Sequence, residues 1–198
     1  MLAAASTAWS GAQPRIVYSK SFPGSVPAWV GISVEKSGAG EYKEAQDDDN
    51  PLKFQLKEQE TAEIFSLVEK LDNFRRPLES PLKVAFMGTK AFRMESGAEK
   101  NEVKFNYSED PSARALADWF ERITESELHL INLERTVKYD KLGVLKALLL
   151  LEASMDRKRL VGAEQYLPML DRIVKNESYM HTARVRAAGI ADAIRANK

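Results

Sequence analysis

Asp110-Pro111-Ser112-Ala113-Arg114-Ala115-Leu116-Ala117-Asp118-Trp119-Phe120-Glu121-Arg122-Ile123 separates two kinds of sequence in this chain. An aspartate side chain can cap the free N–H groups of a helix start, and a proline at the first helical position has no N–H to lose. The pair predicts a helix from Pro111. Leu116, Trp119, Phe120 and Ile123 recur at helical spacing along it, an apolar stripe suited to covering a sheet.

Upstream, the hydrophobic period is mostly two. Strands are expected over residues 15–20 and 29–35, the latter with Val30, Ile32 and Val34 on one side. Ser37-Gly38-Ala39-Gly40 supplies turn residues, and residues 41–45 return as a hairpin partner. Leu52, Phe54 and Leu56 alternate with Lys53 and Gln55 as a half-buried strand. The period then changes: Ile64, Leu67, Val68 and Leu71 mark an amphipathic helix over 58–71. After Arg76-Pro77-Leu78-Glu79-Ser80-Pro81, residues 84–94 and 100–107 predict a hairpin about Glu95-Ser96-Gly97-Ala98, with Val103, Phe105 and Tyr107 inward.

Downstream of Leu128 no strand is expected. Helices are predicted over 142–151, 166–174 and 180–194, with Gly143 and Pro168 inside first turns. Tyr139 and Tyr179, forty residues apart, each precede an apolar helix, but two loose copies favour a bundle over a repeat array. The expected fold class is therefore α+β: a small, mainly antiparallel β-sheet covered by helices 58–72 and 111–135, continuing into a C-terminal helical bundle. Residues 13–110 form the α+β region and 111–198 the helical region. The helix from Pro111 belongs to both and makes them one body.

The 198 residues carry 29 Lys plus Arg against 29 Asp plus Glu, so no global field favours nucleic acid or anionic lipid as a partner. Residues 1–110 hold 14 basic and 17 acidic side chains, and residues 111–198 hold 15 and 12. The absence of cysteine excludes disulfides, thiolate zinc sites and cysteine nucleophiles. Residues 1–12 are uncharged, small and apolar. Ser10-Gly11-Ala12 before Gln13 has the small residues of a signal-peptidase site, so they are read as the remnant of an export signal. The expected location is periplasmic or secreted, with the cytoplasm as the alternative. The most apolar later stretch, 142–155, is shorter than a membrane span and holds Lys146 and Glu152, so no membrane insertion is expected.

Catalytic and metal signatures are sparse. His129 and His181 lack a second histidine at helical spacing, and His129 reads as a solvated partner of Glu125 or Glu134. Asp47-Asp48-Asp49-Asn50 places Pro51 and Leu52 where a calcium loop needs an oxygen ligand and a glycine. No metal, cofactor or catalytic residue is assigned. The most distinctive local segment is Ser21-Phe22-Pro23-Gly24-Ser25-Val26-Pro27-Ala28-Trp29. Two prolines restrict it, and two aromatic rings offer apolar area, as in a preorganised contact loop. The candidate binding residues are Phe22, Pro23, Gly24, Ser25 and Trp29.

The order of early strand, Pro/Gly loop, hairpin, helix ending in Leu71-Asp72-Asn73-Phe74, second hairpin and helix containing Asp118-Trp119-Phe120 resembles a group of uncharacterised small bacterial exported proteins. Over about residues 15–123 it is also similar in layout to emfourins, bacterial inhibitors of thermolysin-type metallopeptidases. Emfourin-like chains carry a glycine-rich segment after the first strand, whereas this chain has Ser21-Phe22-Pro23-Gly24, and no functional residue is carried over.

The sequence thus points to a non-enzymatic exported protein that contacts a protein partner through the 22–29 loop or a helical face. A hydrolase using Ser25, His129 or His181, and a peptidase inhibitor, are the alternatives.

Overall fold

The computed structural model describes residues 13–196. The export-signal reading of residues 1–12 lies outside them. Six strands, β1 (Arg15–Ser21), β2 (Trp29–Glu35), β3 (Ala39–Lys43), β4 (Leu52–Gln55), β5 (Thr89–Ser96) and β6 (Glu99–Phe105), form one sheet in the order β4-β3-β2-β1-β5-β6. Every neighbouring pair is antiparallel. The fold is α+β, with strands first and helices after.

Side chains alternate across a strand, so β1 sends Ile16, Tyr18 and Lys20 to one face and Arg15, Val17 and Ser19 to the other. Among the described residues, helices cover only the first face. There α1 (Glu58–Lys70) buries Ile64, Phe65, Leu67 and Val68, and α2 (Pro111–Tyr139) buries Ala113, Leu116, Trp119, Phe120 and Ile123. The Tyr18 ring stacks on Phe120 with centroids 4.7 Å apart, and Phe92 packs against both.

Helix α2 has 29 residues and is roughly 43 Å long at 1.5 Å per residue. It outruns the sheet, and its second half sends Leu130, Leu133 and Val137 into a separate core with α3 (Val144–Asp156), α4 (Leu167–Lys175) and α5 (His181–Ala196). Polar groups mark the change between cores. Ser126 Oγ accepts the Val161 N–H at 3.1 Å, and Tyr166 donates its hydroxyl to the Ser126 carbonyl at 2.5 Å. Gly162 there has φ 56, and a Cβ would stand 2.9 Å from the Gln55 carbonyl oxygen, so glycine lets the bundle's connecting turn close onto the end of β4.

Several boundaries differ from the sequence reading, among them that of α3, which starts after Gly143 as N-cap and runs five residues past the expected Leu151, to Asp156. The hairpin return begins at Ala39, because Gly38 (φ 84) turns the chain at once and its N–H donates to Glu35 O at 2.9 Å. Residues 84–88 are not strand. Val84 and Phe86 alternate as a strand would, but β6 ends at Phe105, and the Asn106 side chain takes over the ladder's role. Asn106 Oδ1 accepts the Met87 N–H at 2.7 Å, and Asn106 Nδ2 donates to Ala85 O at 3.1 Å. Segment 82–87 therefore runs exposed along the end of the sheet. Helix α2 continues four residues beyond 135, to Tyr139.

Candidate functional site

The connection from β1 to β2 folds back on itself. Phe22 N–H donates to Ala28 O at 2.9 Å, and the Ser25 hydroxyl lies 2.7 Å from both Phe22 O and Pro27 O, so it donates its one proton to a backbone carbonyl. Pro23 and Gly24 stand exposed at the tip, and Val26 is 97% exposed. The Phe22 ring meets Phe86 edge-on at 6.0 Å, which joins this loop to segment 82–87.

The five candidate residues do not act from one surface. Phe22 and Ser25 line a cleft of about 350 Å³ between the loop and α2, together with Val26 and Pro27. Trp29 has the opposite strand parity from Val30. It lies on the uncovered face of the sheet, its ring so close over Gly31 that a Cβ there would stand 2.2 Å away.

Tyr18, Lys20 and Val30 of the sheet border the cleft, and Glu121, Thr124, Glu125, Leu128 and His129 come from α2. Lys20 Nζ donates to Glu121 at 3.2 Å. Behind the cleft a polar cluster ties α2 to the end of α3. Ser154, fully buried, donates to Glu125 Oε1 at 2.6 Å, and His129 Nε2 lies 2.8 Å from Ser154 Oγ. Arg159 Nε donates to Glu125 Oε2 at 2.5 Å and its Nη1 to Asp118 at 3.1 Å, while Arg157 reaches both Ser154 and Glu125.

Burial alone would raise the Glu125 carboxyl, but the hydrogen bonds from Ser154 and Arg159 outweigh it and hold the group below its usual range. Burial lowers the His129 imidazole more than Glu125 raises it, so the ring is neutral near pH 7. An ionised Glu125 only accepts. Ser154 therefore gives it the hydroxyl proton, and His129 must donate from Nε2 to Ser154. Serine, histidine and acid meet here in an order that leaves His129 Nε2 no lone pair with which to activate Ser154.

His129 is thus not the solvated ion-pair residue expected. It is largely buried, 3.9 Å from Glu125, and its closest polar partner is Ser154, twenty-five residues away. His181 is exposed at the start of α5. Tyr18 and Lys20 were missed as cleft residues, although the period-two pattern of β1 places both on the face that α2 covers. Among the described residues no group of three or more His, Asp or Glu side chains is arranged to hold a metal ion. No helix among them is long and apolar enough to cross a membrane.

No protein-family model matches the chain, and no curated protein matches it closely enough to count as a relative.

Proposed function

We propose that this protein is an exported binding module that contacts another protein through the end of the sheet formed by the 22–27 loop and segment 82–87. One observation carries the reading: Val26, Leu82, Val84, Phe86 and Met87 are all exposed there, with Phe22 bridging the two segments. Large apolar side chains gathered on one exposed surface mark interaction sites more often than they serve the fold. Both segments are also held in shape before any partner arrives, the first by its prolines and the Ser25 bonds, the second by Asn106, which lowers the ordering cost of association.

The test is a cross-linked pull-down from periplasmic extract with wild type and a Val26→Asp/Phe86→Asp double variant. A protein recovered by wild type and lost with the variant supports the reading; recovery by neither, or equally by both, counts against it. N-terminal sequencing of exported material beginning at Gln13 tests the compartment. Adding a thermolysin-type peptidase inhibition assay to the same material decides whether the partner is a peptidase, as the emfourin-like layout suggests.

A hydrolase has one observation in its favour, since Ser25 and His129 line the same cleft. Against it, the proton of Ser25 goes to a backbone carbonyl and that of His129 to Ser154. Esterase or peptidase turnover that survives replacement of Ser25, His129 and His181 together removes this alternative.

A further inference from the structure

Segment 82–87 lies outside any helix, strand or turn, and every residue in it is exposed. One side chain shapes it. Asn106 Oδ1 accepts the Met87 N–H at 2.7 Å and Asn106 Nδ2 donates to Ala85 O at 3.1 Å, so a single amide grips the peptide groups on both sides of Phe86. Asn106 is itself fixed: its N–H donates to Glu79 Oε2 at 2.6 Å, and its carbonyl accepts from the buried Lys90 Nζ at 2.9 Å. Upstream, Ser80 N–H donates to Tyr107 O at 2.8 Å, and downstream Thr89 enters β5. Both ends of the segment are thus tied to the sheet independently of the peptide bond after Phe86.

The peptides here are trans, and a trans peptide points its N–H and C=O to opposite sides. With Ala85 O and Met87 N–H turned inward to Asn106, the N–H and C=O of Phe86 face outward. Among the described residues neither they nor the main-chain groups of Val84 make a hydrogen bond. The Phe86 side chain is 57% exposed beside them. The segment therefore presents what a bound peptide offers an active-site cleft: free main-chain donors and acceptors on alternate residues, and a large apolar side chain for a pocket.

Resting on the contact surface proposed above, we infer that the partner is an extracellular serine peptidase with a deep apolar primary pocket, inhibited by a segment that places Phe86 in the pocket and the Phe86–Met87 bond at the catalytic serine. Attack of the serine oxygen on the Phe86 carbonyl carbon breaks the bond to Met87 N, which leaves as an amine carrying the serine's proton. In an ordinary substrate that amine diffuses away and water hydrolyses the ester. Here Asn106 and β5 hold the amine beside the ester, so it attacks the same carbonyl, restores the peptide bond and returns the proton to the serine. Asn106 is a positioning residue in this scheme. A metallopeptidase that attacks with water forms no ester for the held amine to reverse, so the brace favours the serine class.

The experiment follows hydrolysis of chromogenic peptides by chymotrypsin, trypsin and thermolysin in the presence of the full-length protein, with mass spectrometry of the protein itself. Wild type inhibits chymotrypsin, whose primary pocket is apolar, with a constant below about 1 μM, and is nicked slowly and only between Phe86 and Met87. Phe86→Lys changes an exposed side chain, so it folds, and it moves the inhibition from chymotrypsin to trypsin. Asn106→Ala, checked for folding by circular dichroism, loses both bonds of the brace, and its cleavage after Phe86 by chymotrypsin rises about tenfold or more. No inhibition of chymotrypsin, inhibition that Phe86→Lys leaves unchanged, inhibition of thermolysin alone, or wild-type cleavage as fast as that of Asn106→Ala would each overturn the inference. The pull-down separates this failure from that of the wider reading: a partner lost with Val26→Asp/Phe86→Asp that is not a serine peptidase overturns the inference and leaves the contact surface standing.

Discussion

Glu127 and Gln165 share one hydrogen bond of 2.7 Å, from Gln165 Nε2 to Glu127 Oε1, and leave the second oxygen of each, Glu127 Oε2 and Gln165 Oε1, buried without a partner among the described residues. Two acceptors are thus unsatisfied on two planar groups already joined by their other atoms. One proton on Glu127 changes this balance, because a carboxylic acid can donate where a carboxylate can only accept, and the Gln165 oxygen is an available acceptor. Burial raises the Glu127 carboxyl to about 7, the Gln165 bond opposing and Glu134 adding to the rise. Tyr42 from β3 and Tyr166 from the turn before α4 are the other titratable groups that feel its charge.

Stability should therefore fall as pH rises toward and through neutrality. A carboxyl raised from 4.5 to about 7 contributes stability that is complete below 4.5 and lost as pH rises through about 7. The whole effect is about 3 kcal/mol at roughly 1.4 kcal/mol per pKa unit. His129 acts in the other direction: its lowered value contributes stability above its ordinary 6.5 that is lost as pH falls. The Glu127 effect is consequently cleanest above 6.5. Urea midpoints from pH 5 to 8.5 should drop between 6.5 and 7.5 in wild type and stay level there in Glu127→Gln, whose amide can both donate to and accept from Gln165. Parallel profiles for the two proteins would exclude a protonated Glu127.

Asp110 provides the second prediction. Its Oδ1 accepts the N–H groups of Ser112 at 2.8 Å and Ala113 at 3.3 Å, and its Oδ2 accepts from Arg76 at 2.6 Å. The Arg76 bond chiefly, helped by the two N–H groups and opposed by burial, holds the carboxyl below its ordinary 3.8. Its stabilisation is present above 3.8 and is lost as pH falls through the lower folded value. Asp110→Ala should cost about 1–2 kcal/mol, the usual loss of an N-cap. Asp110→Asn, which keeps an accepting oxygen at the cap, should lose less. Thermal midpoints rank the three proteins, and an alanine variant as stable as wild type would mean that the cap contributes nothing.

Much of this fold was legible because local chemistry and hydrophobic period agree. The Asp110-Pro111 start, the Leu52/Phe54/Leu56 strand and the 58–71 helix need only neighbouring residues to be read. The strand expected from Val84 failed for a non-local reason, since pairing requires a partner strand and Asn106 ends that partner one residue after Phe105. The cleft was half legible. The Phe22–Pro27 wall is visible as a proline-stiffened segment, whereas its meeting with α2 depends on how a helix a hundred residues later crosses the sheet. The Ser154 partnership of His129 depends likewise on the packing of α3 against α2, which no sequence spacing encodes.

Replacing Ser154 tests the cluster behind the cleft. Ser154→Ala removes the donor that holds Glu125 Oε1 and the acceptor that receives from His129 and Arg157. Glu125 and His129 stay largely out of water while Arg157 is exposed, so the cost should be about 1–3 kcal/mol. Carbon-detected NMR titration of Glu125 adds a specific readout. Its pKa should rise toward 4.5 in the variant, because the Ser154 bond is the largest influence holding it down. Loss of stability with no change at Glu125 would show that Ser154 matters only for packing.

Lys158 offers a stabilising change. It follows the end of α3 with φ 57, its N–H donating to Met155 O at 2.8 Å and the next N–H, of Arg159, to Ser154 O at 2.9 Å. This pair of bonds is the Schellman ending, whose left-handed position is usually glycine because a side chain there costs about 1–2 kcal/mol. The same turn aims Arg159 at Glu125 and Asp118, so its shape is required by the cluster as well as by the helix. Lys158→Gly relieves the left-handed strain but adds freedom to the unfolded chain, leaving a net gain of about 0.5–1 kcal/mol. The thermal midpoint should rise by about 1–4 °C for a chain of this size. Lys158→Val, which is branched at Cβ and disfavours positive φ, should lower it. A glycine variant less stable than wild type would show that the lysine side chain contributes more than its backbone conformation costs.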